Sequence, residues 1–317
     1  MRKIVMITGA NSGIGRASAV QFAEQGYEVI LACRNEALGK EVEEEINNKV
    51  GSKLAKAMQV NMDSFESIHS FCEAYKGQYD KLDVLIHNAG CFNHGVKSYQ
   101  LSKDHLELTF GTNVFGPFLM TMLLRELLAK AENPVVIGAG STNMQHFFDE
   151  KRKIDFEDLE GKQLSGRAYD SYKMYGDSKM ALFMLILKMS EVFKEDGIRA
   201  NAVMISATKI SKRAVKKLPI HWRTMARCQN LISKPQEYMA NNYYQICESE
   251  KLKDITGKII SGKGEIIEKV PEKISGFQML RDGLIKSRYY PSYAEDKVTL
   301  EKLWKMCHEV TGRKDYL

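Results

Sequence analysis

The sequence predicts an α/β fold: a doubly wound parallel sheet of about seven strands with helices on both faces, and a helical tail at the C-terminus. Two observations carry this. Short apolar runs alternate with amphipathic helical stretches through the first two thirds of the 317 residues, the pattern of parallel strands joined by helical crossovers. A glycine-rich loop, Thr8-Gly9-Ala10-Asn11-Ser12-Gly13-Ile14-Gly15, joins the first strand to the first helix.

Strands are placed at Ile4–Thr8, Glu28–Cys33, Leu54–Val60, Val84–Asn88, Val135–Gly140, Arg199–Ile205 and Lys258–Ser261, each a short run dominated by apolar residues. Between them lie helical stretches at Gly13–Gln25, Glu36–Val50, Ser64–Tyr75 and Phe115–Ala131, long enough for right-handed crossovers. No repeat, low-complexity tract or Pro/Gly-rich linker marks a second domain. Residues 1–262 are therefore expected to form one dinucleotide-binding catalytic domain. Residues 263–317, where the pattern weakens, are expected to be an appendage packed on it, ending in a helix near Thr299–Val310.

Composition excludes several classes. Hydrophobic content of 44% and charged content of 27% are those of an ordinary globular chain. A net charge of +6 is too small to imply nucleic acid. The six cysteines are scattered, with no CxxC and no His/Cys cluster, which points to a reducing compartment and away from a structural metal. The densest apolar run, Met180–Leu187, is far short of the roughly 20 residues needed to span a bilayer. With a strand beginning almost at Met1 and no signal sequence visible, the expectation is a cytoplasmic protein.

The glycine loop has the spacing of a dinucleotide site. Gly9 allows the tight turn, Gly13 lets the backbone approach a pyrophosphate, and Gly15 permits close helix–strand packing. Asn11, Ser12 and Ile14 fill the loop, and the phosphates rest on free N–H groups at the helix N-terminus. The end of the second strand decides between nicotinamide cofactors. It reads Ala32-Cys33-Arg34-Asn35; Arg34 can fork onto a 2′-phosphate that a carboxylate would repel, so NADP(H) is expected. Arg16 offers a second positive charge. The competing reading has Arg34 solvated and Glu36 holding a ribose, as in an NAD site.

Tyr175 and Lys179 stand four residues apart on one helix face, an acid–base pair. Tyrosine alone, with a pKa of about 10, transfers protons poorly near neutrality. A nearby ammonium is expected to favour the phenolate and lower that value.

These motifs together resemble the short-chain dehydrogenase/reductase family over nearly the whole chain. The family's TGxxxGxG matches Thr8, Gly9, Gly13 and Gly15, its NAG matches Asn88-Ala89-Gly90, and its YxxxK matches Tyr175 and Lys179. The resemblance further implies that Asp63 contacts adenine, that Asn113 holds a water linking Lys179 to solvent, and that Lys179 binds the nicotinamide ribose. Ser141 would position the carbonyl oxygen, with Thr142 as the alternative in register, and Thr208 stays in place after the sixth strand. Ala32-Cys33-Arg34-Asn35, Ile154-Asp155-Phe156-Glu157-Asp158-Leu159 and Lys302-Leu303-Trp304 resemble the retinol dehydrogenase-like branch. The chain departs from the pattern at Gly138-Ala139-Gly140-Ser141-Thr142, where a serine pair is usual, and at Ile205-Ser206, where Pro-Gly is usual. The anchor that membrane-bound members carry ahead of the first strand is not expected here.

The implied reaction is hydride transfer between NADP(H) and a small-molecule carbonyl or alcohol, with Tyr175 as general acid/base and Ser141 polarising the oxygen. A non-catalytic NADP(H)-binding sensor or scaffold on the same fold is the alternative. On residue type alone, Asn113 and Asp63 could be helix caps and Ser141 a turn residue. His87 and Cys91 read as core residues beside the NAG motif.

From Ser206 to Gln236 there are eight basic residues (Lys209, Lys212, Arg213, Lys216, Lys217, Arg223, Arg227, Lys234) and no acidic one. The family resemblance implies that this segment covers the substrate. It is either a solvated face or a surface for an anionic substrate or an acidic membrane. Leu218, Ile220, Trp222, Phe147 and Phe148 suit a hydrophobic substrate or a core. Helices near Phe118–Leu128 and Met180–Val192 are apolar over most of their circumference and must be covered, by a second subunit or by the tail. The protein is thus expected to be a homodimer or a monomer.

Overall fold

The computed structural model describes residues 2–93, 95–160, 168–209, 215–216 and 220–312. Its architecture grows outward from β1 (Ile4–Thr8), buried at every residue. β1 pairs in parallel with β2 (Glu28–Cys33) on one side and with β4 (Val84–His87) on the other. β3 (Ala55–Gln59) lies outside β2, while β5 (Val135–Ser141), β6 (Arg199–Ile205) and β7 (Ile259–Ile260) extend the sheet beyond β4. The winding reverses between β1 and β4, where a doubly wound sheet opens its ligand crevice.

The helices cover both faces. α1 (Gly13–Glu24) and α2 (Glu36–Val50) pack on one, together with the helix Gln236–Glu248. α3 (Phe65–Lys76), α5 (Gly116–Ala129) and α6 (Ser171–Val192) pack on the other. Local sequence sets their ends: Asn35 caps α2 by accepting from the Leu38 amide at 3.0 Å, and Gly51 closes it in the left-handed conformation.

The sheet has nine strands among the described residues, not about seven. The two additions, β8 (Ile266–Lys269) and β9 (Tyr289–Tyr290), come from the region expected to be a helical tail. β8 runs antiparallel to β7, and β9 runs parallel to β8. Both are too short for alternation to announce them.

The tail's helix forms at Lys297–Thr311, capped by Asp296 and closed by Gly312 at φ +68°. It buries Leu303, Trp304 and Cys307. Trp304 stands edge-on to Phe118 of α5 at 5.2 Å between ring centroids, and Tyr290 does the same to Phe183 of α6. The apolar circumference of α5 and α6 is therefore covered by this chain's own C-terminal region. Of the hydrophobic candidates, Phe147 is core, stacked on Tyr293 at 5.1 Å. Leu218, Lys212, Arg213 and Lys217 lie outside the described residues, as do the side chains of Ile220 and Trp222. No helix among the described residues is long and apolar enough to cross a membrane.

Candidate active site

The glycines do what their backbone geometry demands. Gly9 is left-handed at φ +68°, and a Cβ there would come within 3.1 Å of Ala89 Cα. At Gly15 a Cβ would sit 2.5 Å from both Gly9 O and Asn88 Nδ2, so no larger residue fits. Asn88 Nδ2 donates to Thr8 O, and the amides of Asn88 and Ala89 both donate to Thr8 Oγ1, each at 3.0 Å. The loops after β1 and β4 are thereby fastened together at the switch point. Ser12 makes no side-chain cap, and the first turn of α1 contains no acidic residue. The first-turn amides of α1 are thus left without a side-chain acceptor, an arrangement that suits an anion.

Arg34, the residue after β2, is exposed and forms no ion pair among the described residues. Glu36, its rival in the sequence, is instead committed to Lys40 at 2.7 Å. Arg16 pairs with Glu45, so it is not the second free charge expected beside the loop. Asp63 is not a helix cap: Ser64 caps α3, while Asp63 accepts from Asn61 Nδ2 at 2.5 Å. Burial pushes the Cys91 thiol up to about 11, and both Arg34 and Asp63 lie within electrostatic reach of it.

At the other end of the crevice, α6 presents Tyr175 and Lys179 on one face. Lys179 Nζ lies 5.7 Å from the Tyr175 ring centroid and donates to Ala139 O at 2.9 Å. Burial pulls its ammonium down to about 8. Tyr175 is raised above its ordinary value by burial, against the opposing effect of a hydrogen bond with the Ser141 hydroxyl. This corrects the expectation of a lowered tyrosine: burial raises it, and only the Ser141 hydroxyl opposes the rise. Phe92 stacks on the Tyr175 ring at 4.3 Å, shielding one face.

Ser141 is the last residue of β5; its hydroxyl accepts from the Asn143 amide at 3.2 Å, capping the 3-10 helix Thr142–Phe148, and lies close enough to Tyr175 to oppose the rise in its pKa. Asn113 sits inside a π-turn, Gly111–Phe115, between the short helix α4 (Leu108–Phe110) and α5. It caps no helix. Its Oδ1 accepts from the Cys91 amide at 2.6 Å, and its Nδ2 donates to Cys91 O and Ser178 Oγ, each at 3.0 Å. Gly90 lies against this pair; a Cβ there would reach 3.4 Å from Lys179 Nζ and 3.6 Å from Asn113 Oδ1. Thr208 is held three residues beyond β6 by a bridge to Lys234.

Some supporting residues escaped the sequence analysis. Asp177, on the same helix between Tyr175 and Lys179, is buried and holds Arg152 Nη2 at 2.6 Å and Lys173 Nζ at 2.7 Å. Lys173 was visible as an i,i+4 partner; Arg152, reaching from an irregular segment, was not. Ser178 and Phe92 carried no signal. His87 is core, with Nε2 2.7 Å from Thr121 Oγ1, and burial pulls its imidazole down to about 3.

A doubly wound sheet with this loop and this helix pair defines a dinucleotide-dependent oxidoreductase. Residues 3–149 match the short chain dehydrogenase family. The chain is 28% identical over 312 residues to mouse retinol dehydrogenase 12, spanning 98% of this chain and 86% of that protein. It is 28% identical over 277 residues to human retinol dehydrogenase 13, spanning 82% and 76%. The solved structure of a Mycobacterium paratuberculosis protein matches with a TM-score of 0.66 at 20% identity, covering 98% of this chain and 93% of that one. A short chain dehydrogenase from Escherichia coli, solved in complex with NADPH, matches with a TM-score of 0.63 at 20% identity, covering 82% and 96%. The match to the short chain dehydrogenase family covers just under half of the chain, and the similarity to the retinol dehydrogenases extends over most of it. The protein is an oxidoreductase enzyme, and its cofactor is a nicotinamide dinucleotide.

Proposed function

We propose that the protein is an NADP(H)-dependent reductase that interconverts a hydrophobic carbonyl compound and its alcohol. The observation that carries this is the placement of Tyr175 and Lys179 on one face of α6, with Lys179 Nζ 5.7 Å from the Tyr175 ring centroid, beside Ser141 at the end of β5.

The cradle fits the cofactor. The uncapped amides after Ser12, between left-handed Gly9 and Gly13, accept a pyrophosphate. The free guanidinium of Arg34 suits a 2′-phosphate and argues for NADP(H) over NAD, because Glu36 is already paired. Asp63 would flank the adenine. Asn88, Ala89 and Gly90 would line the middle of the crevice, and Tyr175, Lys179 and Thr208 its nicotinamide end. When bound, the cofactor supplies the hydride.

The residues supply the rest. Ser141 donates a hydrogen bond to the substrate oxygen and positions it against Tyr175. With its pKa raised, Tyr175 enters the reaction protonated at neutral pH, the state needed for an acid that protonates a developing alkoxide. Lys179, near 8, changes charge readily, and it can return a proton to the tyrosine. Asn113 fixes the loop at Cys91 and the helix at Ser178, holding both sides of the site.

The named retinol dehydrogenases among its relatives favour a retinoid-like substrate. The tail over α5 and α6 favours a monomer, and the scattered free cysteines favour the cytoplasm. The test is to incubate the protein with NADPH deuterated at the transferred position and a pool of aldehydes, ketones and retinoids, then to read product alcohols by mass spectrometry. Deuterium in an alcohol is the expected result. NADPH binding without label in any product would count for the sensor instead.

A further inference from the structure

Four of the eight exposed large apolar residues among those described fall within nine positions. They are Phe277, Leu280, Leu284 and Ile285, at 72%, 52%, 42% and 71% exposure. The other four, Leu101, Tyr172, Leu231 and Val298, are scattered along the chain. The cluster lies on one short helical segment: Ser275 caps it, Gly276–Gln278 forms its first turn, and Met279–Ile285 continues as a π-turn. Residues 277, 280 and 284 recur at helical spacing and share a face, with 285 beside them.

The charges around this face are arranged as well. Asp282 is buried, and it gathers the exposed Arg281, Lys286 and Arg288 at 2.5, 3.5 and 3.7 Å. Water therefore meets an apolar face rimmed by three cations whose one counter-charge is inside. Singly exposed apolar residues need no explanation, but a contiguous patch of this kind does. An apolar face rimmed by Lys and Arg is what an interfacial helix lays into anionic headgroups.

The segment is also fixed to the catalytic end of the sheet. Gln145, in the 3-10 helix Thr142–Phe148 directly after Ser141, donates from Nε2 to Gly283 O at 3.0 Å, Leu284 O at 3.3 Å and Ser287 Oγ at 2.9 Å.

We infer that the segment Gly276–Arg288 docks the protein on the surface of an anionic lipid bilayer. Phe277, Leu280, Leu284 and Ile285 enter the headgroup layer, and Arg281, Lys286 and Arg288 pair with lipid phosphates. Docking through this face holds the Ser141 end of the crevice beside the leaflet, where a lipophilic carbonyl is dissolved. That delivery role rests on the proposed chemistry; the docking does not, and its test reads lipid rather than turnover.

The full chain would be sedimented with vesicles of phosphatidylcholine alone and of phosphatidylcholine with phosphatidylserine. The expected result is binding at least about 10-fold stronger to the anionic vesicles, weakened by salt, and lost in Phe277→Glu/Ile285→Glu. Both positions are exposed, so the variant should keep the wild-type thermal midpoint. If the wild type fails to sediment with anionic vesicles, or the variant sediments as well as the wild type, the inference falls. It also falls if light scattering shows a wild-type dimer that the variant dissolves, since the face would then belong to a second copy.

Discussion

The region before Ser141 and the region beyond Ile205 complete one sheet, but different physical rules choose their residues. In the first, geometry allows one residue type at each key position. Gly15 cannot carry a Cβ because Gly9 O and Asn88 Nδ2 already occupy the space. In the second, β8 and β9 need only short half-buried runs, and the helix Lys297–Thr311 needs only an apolar face that suits α5 and α6. Many sequences satisfy that. The contrast teaches that the cofactor half is constrained by chemistry at points, whereas the C-terminal half is constrained by packing over an area.

If that contrast is sound, a single atom removed from a point should cost more than any change to the area. Tyr175→Phe deletes only the hydroxyl proposed as the general acid. The expected loss is about 10³-fold in kcat, with the Kd for NADPH nearly unchanged by fluorescence titration. Retained activity would show that the proton comes from elsewhere and would remove the site's central assignment.

The next test asks whether the C-terminal region is an accessory or part of the core. Trp304 is 5% exposed and packs edge-on against Phe118. Trp304→Ala should destabilise the whole domain by about 3–5 kcal/mol in urea unfolding. It should do so in a single transition, because the tail and α5 share one apolar cluster. A separate early transition would mean that the tail unfolds alone. Wild type should elute as a monomer, since the tail already occupies the face that a partner would need.

Arg34 sharpens the comparison within the cofactor half, because it is exposed and chosen by charge, not by space. Arg34→Glu should weaken NADPH binding by about 10- to 100-fold, the worth of one to two charged hydrogen bonds, and leave NADH binding little changed. Equal losses for both cofactors would mean that Arg34 holds something other than a 2′-phosphate.

How much could be read in advance follows the same division. The first seven strands, the glycine loop and the Tyr175/Lys179 pair were legible because period and spacing encode them. Asn113 was legible only through the family resemblance, since its position depends on the π-turn at Gly111–Phe115, which no periodicity announces. There, a Cβ on Gly116 would meet Met62 O at 2.4 Å, so the turn is fitted to a distant loop. Arg152 was illegible because its partner Asp177 lies 25 residues away, with no periodicity linking the two. The direction of the Tyr175 shift was misjudged because spacing reports which charges are near, but not how much water has been excluded.

His87 supplies the smallest effect and a limit on the comparison, since it adjoins the Asn88-Ala89-Gly90 motif yet serves packing. Burial holds its imidazole near 3, against 6.5 for the ordinary group. The unfolded chain therefore takes up a proton between those values that the folded chain refuses. Stability is full above pH 6.5 and falls as the pH drops toward 3. By pH 5 the loss from this one group should be about 2 kcal/mol. His87→Gln cannot charge, and it should flatten the decline between pH 6.5 and pH 5 in urea melts, even if it lowers stability overall by disturbing the contact with Thr121. An unchanged slope would mean that the imidazole accepts its proton in place, and that water reaches the side of the sheet on which α5 lies.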